Sequence, residues 1–403
     1  MSRASNLRAR PSYNRDASPA QDISPLRIGV NALYLIPGRV GGTEIYLRSL
    51  LAALAEIDAR NQYIVFTNRE TGTDLVPARA NFKCAPISIR ASFRPARILW
   101  EQTGLPLAVA RQHLDVLFNP GFTSPVLCSC ASVTVFHDLQ HKRRPELFRR
   151  FDLPFWQILL YASAHLSTRL LAISDTTRAD LLRFYKIAPE KVSVAELGVD
   201  PVFFDISRRR RIADQYILTV STLHPHKNLD GLMHAFAEFR TLRPEFRLIV
   251  VGLRGFHTAA LEKLRTSLGL SEAVRLTGWI PRAELYDLFT RAAAFMYPST
   301  FEGFGLPVLE ALAAGVPTAC SRIEPLSSMV GSAALQFDPG EPSAILDAMV
   351  RITSDAELRA RLSAEGPVRA KEFSWAKTAR LTLDAITASV GQRADSGGRA
   401  QRG

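Results

Sequence analysis

The segment Pro298-Ser-Thr-Phe-Glu-Gly-Phe-Gly-Leu-Pro-Val-Leu-Glu310 carries two carboxylates eight residues apart, two glycines and an internal proline. It follows an apolar run, Ala294–Tyr297, that reads as a strand, and it leads into helical spacing from about Pro307. Gly303 and Gly305 let the backbone approach a ligand closely. Pro307 suits a first helical turn, where its missing N–H is not needed. The free amides and dipole of such a terminus favour a phosphate. Glu302 in the loop and Glu310 in the helix could reach different hydroxyls of one sugar-bearing ligand. The plainer alternative is a tight strand-to-helix turn with Glu310 as a capping-region acid. A bare Gly-x-Gly would favour that alternative; both acids and the proline in register favour the site.

Other candidate groups also fall just after apolar runs. Gly41-Gly42-Thr43-Glu44 lies in the loop after Leu26–Asn31, His137-Asp138 follows Ser132–Phe136, and Ser221-Thr-Leu-His-Pro-His-Lys-Asn228 follows Tyr216–Val220. Breaking a sugar–phosphate bond develops positive charge on the sugar and negative charge on the phosphate, so fixed cations and amides aimed at the phosphate stabilise the change. There is no clear Asp-x-Asp to hold a metal, and Lys227, His226 and helix amides could stand in for one. If His226 acts as a cation, activity should fall with its deprotonation near neutral pH. A lone histidine after a strand is more often packed or hydrogen-bonded than catalytic. The position of His137 at a strand end beside Asp138 favours a site residue, with Asp138 contacting the acceptor or only orienting the loop. His141 reads as structural.

These loops need strands and helices to hold them. Leu26–Asn31, Tyr63–Thr67, Val116–Phe118, Ser132–Phe136, Leu170–Ile173 and Val192–Val194 read as buried strands with helical stretches between. The pattern restarts with Tyr216–Ser221, Arg247–Val251, Val274–Leu276 and Ala294–Tyr297, and helices fit at Ala259–Leu268, Arg282–Ala292, Pro307–Ala314, Ser343–Ile352 and Trp375–Ser389. Alternation of this kind implies α/β domains with parallel sheets and right-handed crossovers. The expected division is a basic disordered tail over 1–24, a first Rossmann-like domain over 25–205 and a linker over 206–215. A second Rossmann-like domain follows over 216–372, then a helix over 373–390 and a disordered tail over 391–403. Two doubly wound domains facing a cleft bind ligands beyond the carboxyl ends of their strands.

Composition agrees with this division. The 403 residues exceed one ordinary core, and 47% hydrophobic with 22% charged residues is globular. Four cysteines cannot build a disulfide scaffold; they read as reduced, buried thiols of a cytosolic protein. The net charge is +12. Residues 1–25 hold four Arg and two Asp, and residues 391–403 hold three Arg and one Asp, so 4 of the 12 lie in the termini. The rest is spread over both halves, which argues against a nucleic-acid face. No segment reads as a membrane span: Phe155–Ile173 is interrupted by His165 and Arg169. The N-terminus lacks the apolar core of a secretory signal. Arg90, Arg94 and Arg97 precede Leu99-Trp100, and Lys142, Arg143, Arg144, Arg149 and Arg150 precede Phe151, Phe155 and Trp156. Such clusters could dock an anionic membrane surface or a lipid-diphosphate acceptor, or could be a solvated face over core aromatics. Arg208–Arg211 reads as solvated linker.

The Pro298–Glu310 segment resembles the Glu-x7-Glu signature of family-four retaining glycosyltransferases, which have the two-domain glycosyltransferase B fold. The resemblance covers about Leu26 to Ser389, and it implies that 25–205 is the acceptor-side domain, that 216–372 is the nucleotide-sugar-binding domain and that the helix over 373–390 crosses back to the first domain. Gly41-Gly42-Thr43-Glu44 is similar to the family's first glycine loop, and Phe136-His-Asp-Leu139 to its His-Asp site. Arg97-Ile-Leu-Trp-Glu-Gln102 with Leu105-Pro106 and Asp115-Val116 resembles mannosyltransferase-like members. Ile173-Ser-Asp175, Gly198-Val-Asp200 and Phe373-Ser-Trp375 also match in order. The resemblance implies that Glu302 contacts donor-sugar hydroxyls and Glu310 the nucleotide ribose. Amides around Gly303, Phe304, Gly305 and Leu306 would hold the diphosphate or sugar, Lys227 would neutralise the departing diphosphate, and His137 would contact the sugar near the reacting carbon. Gly41 and Gly42 would let the first loop approach the phosphates and acceptor, and Ile280 would meet the base. The family often has an Arg-Lys pair where this chain has His226-Lys227, so phosphate stabilisation would rest more heavily on Lys227.

The expected function is therefore a retaining, metal-independent glycosyltransferase without a cofactor. It would move a hexose, with mannose from GDP-mannose the first choice, to a lipid-linked oligosaccharide or polysaccharide acceptor in surface polysaccharide synthesis. The setting would be cytoplasmic, with peripheral contact at the cytoplasmic face of the inner membrane and no nucleic-acid partner. Two alternatives stay open: a nucleotide-sugar 2-epimerase on the same fold, and a non-catalytic polyanion-binding protein. A nicotinamide enzyme is disfavoured, because the first strand is followed by a long loop rather than a short Gly-x-Gly-x-x-Gly turn.

Overall fold

The computed structural model describes residues 24–148, 153–210 and 214–400. The first half contributes strands β1 (Arg27–Asn31), β2 (Gln62–Thr67), β3 (Phe82–Pro86), β4 (Val116–Asn119), β5 (Ala131–Phe136), β6 (Arg169–Ala172) and β7 (Val192–Val194). They form one sheet in the order β3-β2-β1-β4-β5-β6-β7. The second half contributes β8 (Tyr216–Val220), β9 (Arg247–Val251), β10 (Val274–Gly278), β11 (Ala294–Tyr297), β12 (Thr318–Ser321) and β13 (Leu335–Phe337), in the order β10-β9-β8-β11-β12-β13. Every pairing is parallel. All residues of β4, β5, β11 and β12 are buried, as expected where helices cover both faces of a parallel sheet.

Each sheet starts in its middle, runs to one edge, then resumes on the other side of its first strand. The switch falls between β1 and β4 in one sheet and between β8 and β11 in the other. Loops leave such neighbours in opposite directions and open a crevice at the carboxyl ends. The loops carrying Gly41, Lys227 and Glu302 all leave switch-point strands. Topology therefore selects three of the four segments that residue chemistry selected; His137 leaves β5, the neighbour of β4.

The halves share an apolar core. One cluster runs from Ile28 and Val30 through Leu197 and Val199 to Phe203, Leu309 and Leu312, and includes Trp375 and Ile386. The helix Trp375–Ala400 lies against the helix Gly42–Ile57 and against β4, β5 and β6 of the first sheet. Its Thr378 hydroxyl donates to the Glu196 carbonyl at 2.6 Å, and Tyr46 and Trp375 have ring centroids 6.2 Å apart.

Several expectations need correction. Residues 206–209 are not linker: Val202–Arg209 is a helix whose Phe203 and Ile206 are buried. The Phe203 ring lies 5.1 Å from Phe289 and 5.3 Å from Tyr286. The apolar pair three residues apart was hidden by the arginine run beside it. Arg210 is not solvated either; its guanidinium donates to the carbonyls of Phe289, Thr290 and Ala292 at 2.7, 3.3 and 2.9 Å. Arg211 and residues 1–23 of the expected N-terminal tail lie outside the described residues. The expected tail from 391 is helical to Ala400, and Arg393 donates to the carbonyls of Cys128 and Cys130. All four cysteines are free, but Cys84 and Cys128 are only half-buried. Three strands, β3, β12 and β13, and the helix Ala356–Ala370 have no counterpart in the pattern reading. The strands are short, and Gly366-Pro367 interrupts the helical signal.

Candidate active site

The second sheet's switch point brings two distant charges together. Lys227 closes a short turn, Pro225–Lys227, beyond β8, and Glu302 lies in the loop beyond β11. Lys227 Nζ is 2.6 Å from Glu302 Oε1 and 3.3 Å from the Tyr297 hydroxyl. The His226 carbonyl accepts from the Thr300 amide at 2.7 Å and from the Ser299 and Thr300 hydroxyls at 3.1 Å, which ties the two loops to each other. The Lys227 and Glu302 side chains are 14% and 9% exposed, so the pair is desolvated. Burial pushes the Glu302 carboxyl up, but the Lys227 ammonium and hydroxyl of Ser299 outweigh it and hold Glu302 below its ordinary value. Tyr297 is pushed well up by burial and by Glu302, with Glu310 adding to it, so its phenol stays protonated between the two acids.

The glycine loop is tight for two separate reasons. Gly305 caps the helix Leu306–Ala313 with φ of 104°, a left-handed conformation, and a Cβ there would lie 2.2 Å from Leu326 Cδ2. Gly303 is constrained by contact instead: a Cβ would lie 2.1 Å from the His137 carbonyl oxygen. The amides of Phe304, Gly305 and Leu306 have no backbone carbonyl partner among the described residues. The Phe304 and Leu306 side chains are buried, with Phe304 6.0 Å from the Phe373 ring. These residues can offer amides to a ligand, not side chains.

Across the crevice, the first half supplies the opposing wall. His137 is buried between Tyr46 and Phe122, with ring centroids at 4.9 and 5.0 Å. Its Nε2 lies 2.8 Å from the Pro120 carbonyl, so Nε2 carries the proton, and burial lowers the imidazole to about 4. Nδ1 is then an acceptor with no protein partner among the described residues. Asp138 Oδ1 accepts from the Gln140 amide at 2.9 Å. Burial raises Asp138, Lys227 opposes this and Glu302 adds to it, which places all three in one field.

Two hydrogen bonds cross between the walls. Ser174, the N-cap of the helix Asp175–Tyr185, accepts from the Thr177 amide and donates to the Gly303 carbonyl at 2.7 Å. Gln140 Nε2 lies 3.1 Å from His226 Nδ1. Burial and the neighbouring Lys227 lower His226 to about 3, so it is neutral near pH 7. The expectation that His226 is a cation near neutral pH does not hold for this arrangement. A Cβ at Gly41, where φ is 60°, would lie 4.0 Å from the Thr222 hydroxyl, and one at Gly38 would lie 3.9 Å from the Trp279 ring. Among the described residues, nothing would lie within 4 Å of a Cβ at Gly42.

Glu310 stands apart from the Lys227–Glu302 pair. It is 3% exposed and its Oε1 accepts from Arg282 Nη1 at 3.3 Å. Arg282 also donates to Asp200 Oδ2 at 3.0 Å and to the Tyr286 hydroxyl at 3.1 Å, and Tyr286 donates to the same Asp200 oxygen at 2.7 Å. Burial raises Glu310 to about 7 against the pull of Arg282. Ile280 follows the exposed Trp279 and is half-buried at the core edge.

Two family descriptions match the chain in series: Glycosyltransferase Family 4 over residues 40–203 and Glycosyl transferases group 1 over residues 205–369. O-antigen chain mannosyltransferase B of Escherichia coli is 30% identical over 287 residues, covering 68% of this chain and 75% of that protein. The chain belongs to the group 1 glycosyltransferases. The MMP alpha-(1->4)-mannosyltransferase of Mycolicibacterium hassiacum is 33% identical over 219 residues, covering 53% of this chain and 52% of that protein. The structure of Anabaena Alr3699/HepE in complex with UDP and glucose aligns with a TM-score of 0.70 at 17% identity, over 90% of this chain and 99% of that one. The fold is the glycosyltransferase B fold.

In this glycosyltransferase, sequence reading found the acids, the lysine and the glycine loop but missed Arg282, Tyr297, Ser174 and Gln140. Tyr297 ends a strand whose Ala-Phe-Met start drew attention only to burial. Arg282 opens a helix, where an arginine ordinarily reads as a surface residue. The one available signal was its place two residues beyond Ile280. The Trp100-Glu-Gln102 segment is scaffold: Arg97 and Glu101 are buried, and Gln102 bridges the Ser124 carbonyl and Val126 amide at 3.2 and 2.9 Å.

Proposed function

We propose that this glycosyltransferase is a retaining, metal-independent hexosyltransferase. In this reading it moves mannose from GDP-mannose to a lipid-linked oligosaccharide or polysaccharide acceptor during surface polysaccharide synthesis. The observation that carries the proposal is the buried Lys227–Glu302 pair at the switch point, beside three amides with no backbone partner among the described residues and facing His137. Mannose as the sugar is supported by relatives named as mannosyltransferases. Lys227 and the amides of Phe304, Gly305 and Leu306 would receive the charge that develops on the departing diphosphate. Glu302 would hold donor-sugar hydroxyls, Glu310 the ribose, Ile280 the base, and Nδ1 of His137 a sugar hydroxyl near the reacting carbon. Gly41 and Gly42 would bring the first loop to the phosphates. His226, neutral here, would donate or accept through its ring and is not required as a cation.

The sugar C1–O bond to the diphosphate breaks while the acceptor oxygen bonds C1 from the same face. The acceptor proton passes to the departing phosphate oxygen, so no enzyme carboxylate need form a bond to the sugar. A thermal-shift panel of GDP- and UDP-hexoses tests the donor by linkage. Proton NMR of the first-formed product tests stereochemistry. Stabilisation by UDP-hexoses alone would overturn GDP-mannose, and an inverted anomeric centre would overturn retention.

The membrane part of the proposal rests on an apolar face of the first half. Leu99, Leu127 and Ile158 are 65%, 77% and 71% exposed, with Leu107, Val126 and Phe155 also exposed. Arg94 packs over the Trp156 ring at 4.2 Å, and Ser163 accepts the Ser124 amide at 3.0 Å, which joins the helices Arg94–Arg111 and Leu153–Leu166 and the loop between them. The basic clusters contribute less than their sequence suggested. Arg97 is buried, Arg143 is committed to Asp180 through contacts of 2.6–3.0 Å, and Arg149, Arg150 and Phe151 lie outside the described residues. No helix among the described residues is long and apolar enough to cross a membrane. Flotation with phosphatidylglycerol vesicles at low salt should carry the wild type and lose a Leu99→Ser, Leu127→Ser, Ile158→Ser triple variant. No flotation of the wild type would reject the membrane reading.

A further inference from the structure

The network at Glu310 contains a residue that no part of the signature accounts for. Glu310 is nearly fully buried, yet only one of its oxygens is engaged: Oε1 accepts from Arg282, while Oε2 has no hydrogen-bond partner among the described residues. Arg282 does not swing freely. Its Nε is held by the Tyr286 hydroxyl one turn along its own helix, and its Nη2 by Asp200 from the segment that joins the two halves. Tyr286 donates to the same Asp200 oxygen, so the guanidinium sits in a three-point clamp. The fork of arginine suits this, because each nitrogen finds a different acceptor.

We propose that Arg282 is the positioning residue for the donor nucleotide, holding one oxygen of Glu310 so that the other is presented to the vicinal hydroxyls of a ribose. The inference rests on the reading of Glu310 as the ribose-binding acid. Asp200 and Tyr286 fix the guanidinium; the guanidinium fixes the carboxylate. The charge matters as much as the geometry. The groups facing Glu310 are Arg282 and, behind it, Asp200 and Tyr286, with Tyr297 on the neighbouring strand. Only Arg282 is cationic; Asp200 opposes ionisation and Tyr297 stays neutral. A carboxyl held near 7 with the cation present rises further without it, and a protonated carboxyl loses an acceptor for the diol.

The test measures the dissociation constants of GDP and UDP by calorimetry from pH 6 to 9.5, corrects each profile for phosphate ionisation of the nucleotide to read its midpoint, and takes the ratio of each variant to wild type at every pH. Arg282→Met should weaken binding at least tenfold at pH 7, and the ratio should recover as pH rises, with its midpoint moved up by at least one pH unit. Arg282→Lys should keep the midpoint near that of wild type at reduced affinity. Glu310→Gln should weaken binding with no recovery at high pH. A ratio for Arg282→Met that is unchanged, or lowered equally at every pH, overturns the positioning role. Wild-type affinity in Glu310→Gln overturns the ribose assignment itself, a separate failure. If Arg282→Met does not fold, the midpoint in Arg282→Lys decides: displacement by more than one unit overturns the proposal.

Discussion

Replacing Gly303 by alanine should cost the enzyme turnover. A Cβ at this position would stand 2.1 Å from the His137 carbonyl oxygen and 3.1 Å from Asp138 Cβ. Carbon–oxygen contacts settle at about 3.3 Å or more, so the two loops would have to part by about 1.2 Å. Neither side yields easily. The His137 carbonyl also accepts from the Thr177 hydroxyl at 3.3 Å, and the His137 ring is fastened to Pro120. On the other side, Gly303 leads directly into the left-handed cap at Gly305. The Ser174 hydrogen bond to the Gly303 carbonyl would stretch as the loops part. A displacement of about 1 Å at a reacting centre lowers turnover roughly 100-fold, or about 2.7 kcal/mol of barrier. Initial rates at saturating donor should show this fall. Gly391→Ala, with nothing among the described residues within 4 Å of its new Cβ, serves as the control. A Gly303→Ala enzyme with kcat within about threefold of wild type would refute the claim that this contact sets the distance between the two walls.

Lys227→Met should destabilise the second half by about 3–5 kcal/mol in urea titrations, because it strands the buried Glu302 carboxylate. Lys227→Met combined with Glu302→Gln should recover part of that loss, and additive losses would contradict the pairing. Glu310 should give a pH signature of its own. Its folded value is raised to about 7 from 4.5, so its stabilising contribution is complete below 4.5 and is lost as pH rises through 7. Glu310→Gln should therefore gain stability relative to wild type by on the order of 3 kcal/mol between pH 4.5 and 8; a constant difference across that window would contradict the shift. Gly198→Ala would place a Cβ 2.1 Å from the Trp375 amide nitrogen, where backbone meets backbone. It should loosen the terminal helix and lower the melting temperature by several degrees, and an unchanged melting curve would show that this helix is not needed for stability.

The crevice is closed over by contacts that join the halves at three levels. The apolar cluster around Phe203 and Trp375 binds them on one side. Ser174–Gly303 and Gln140–His226 bind them across the chemistry. Asp200–Arg282 binds the joining segment to the donor side. The first contact is apolar and the other two are polar, with Asp200 holding the Arg282 guanidinium that engages Glu310.

Local sequence determined much of this protein. Apolar runs of four to six residues specified β1, β2, β5, β8, β9 and β11 because buried parallel strands need no polar face. Residue types beyond the ends of those runs specified Lys227, Glu302 and His137 as charged or polar groups at loop positions, and Glu310 as an acid in the helix that follows. What the chain order could not reveal was partnership. Lys227 and Glu302 are 75 residues apart, and they meet because β8 and β11 are neighbours in the sheet. Arg282 is 82 residues from Asp200, and their pairing depends on a helix that resembled a charged linker. Element type follows from side-chain periodicity over a few residues, whereas strand order and docking of the two halves follow from burying whole faces at once. The individual groups were therefore legible in the sequence, and the state of each, ionised or neutral, paired or open, was decided only by tertiary packing.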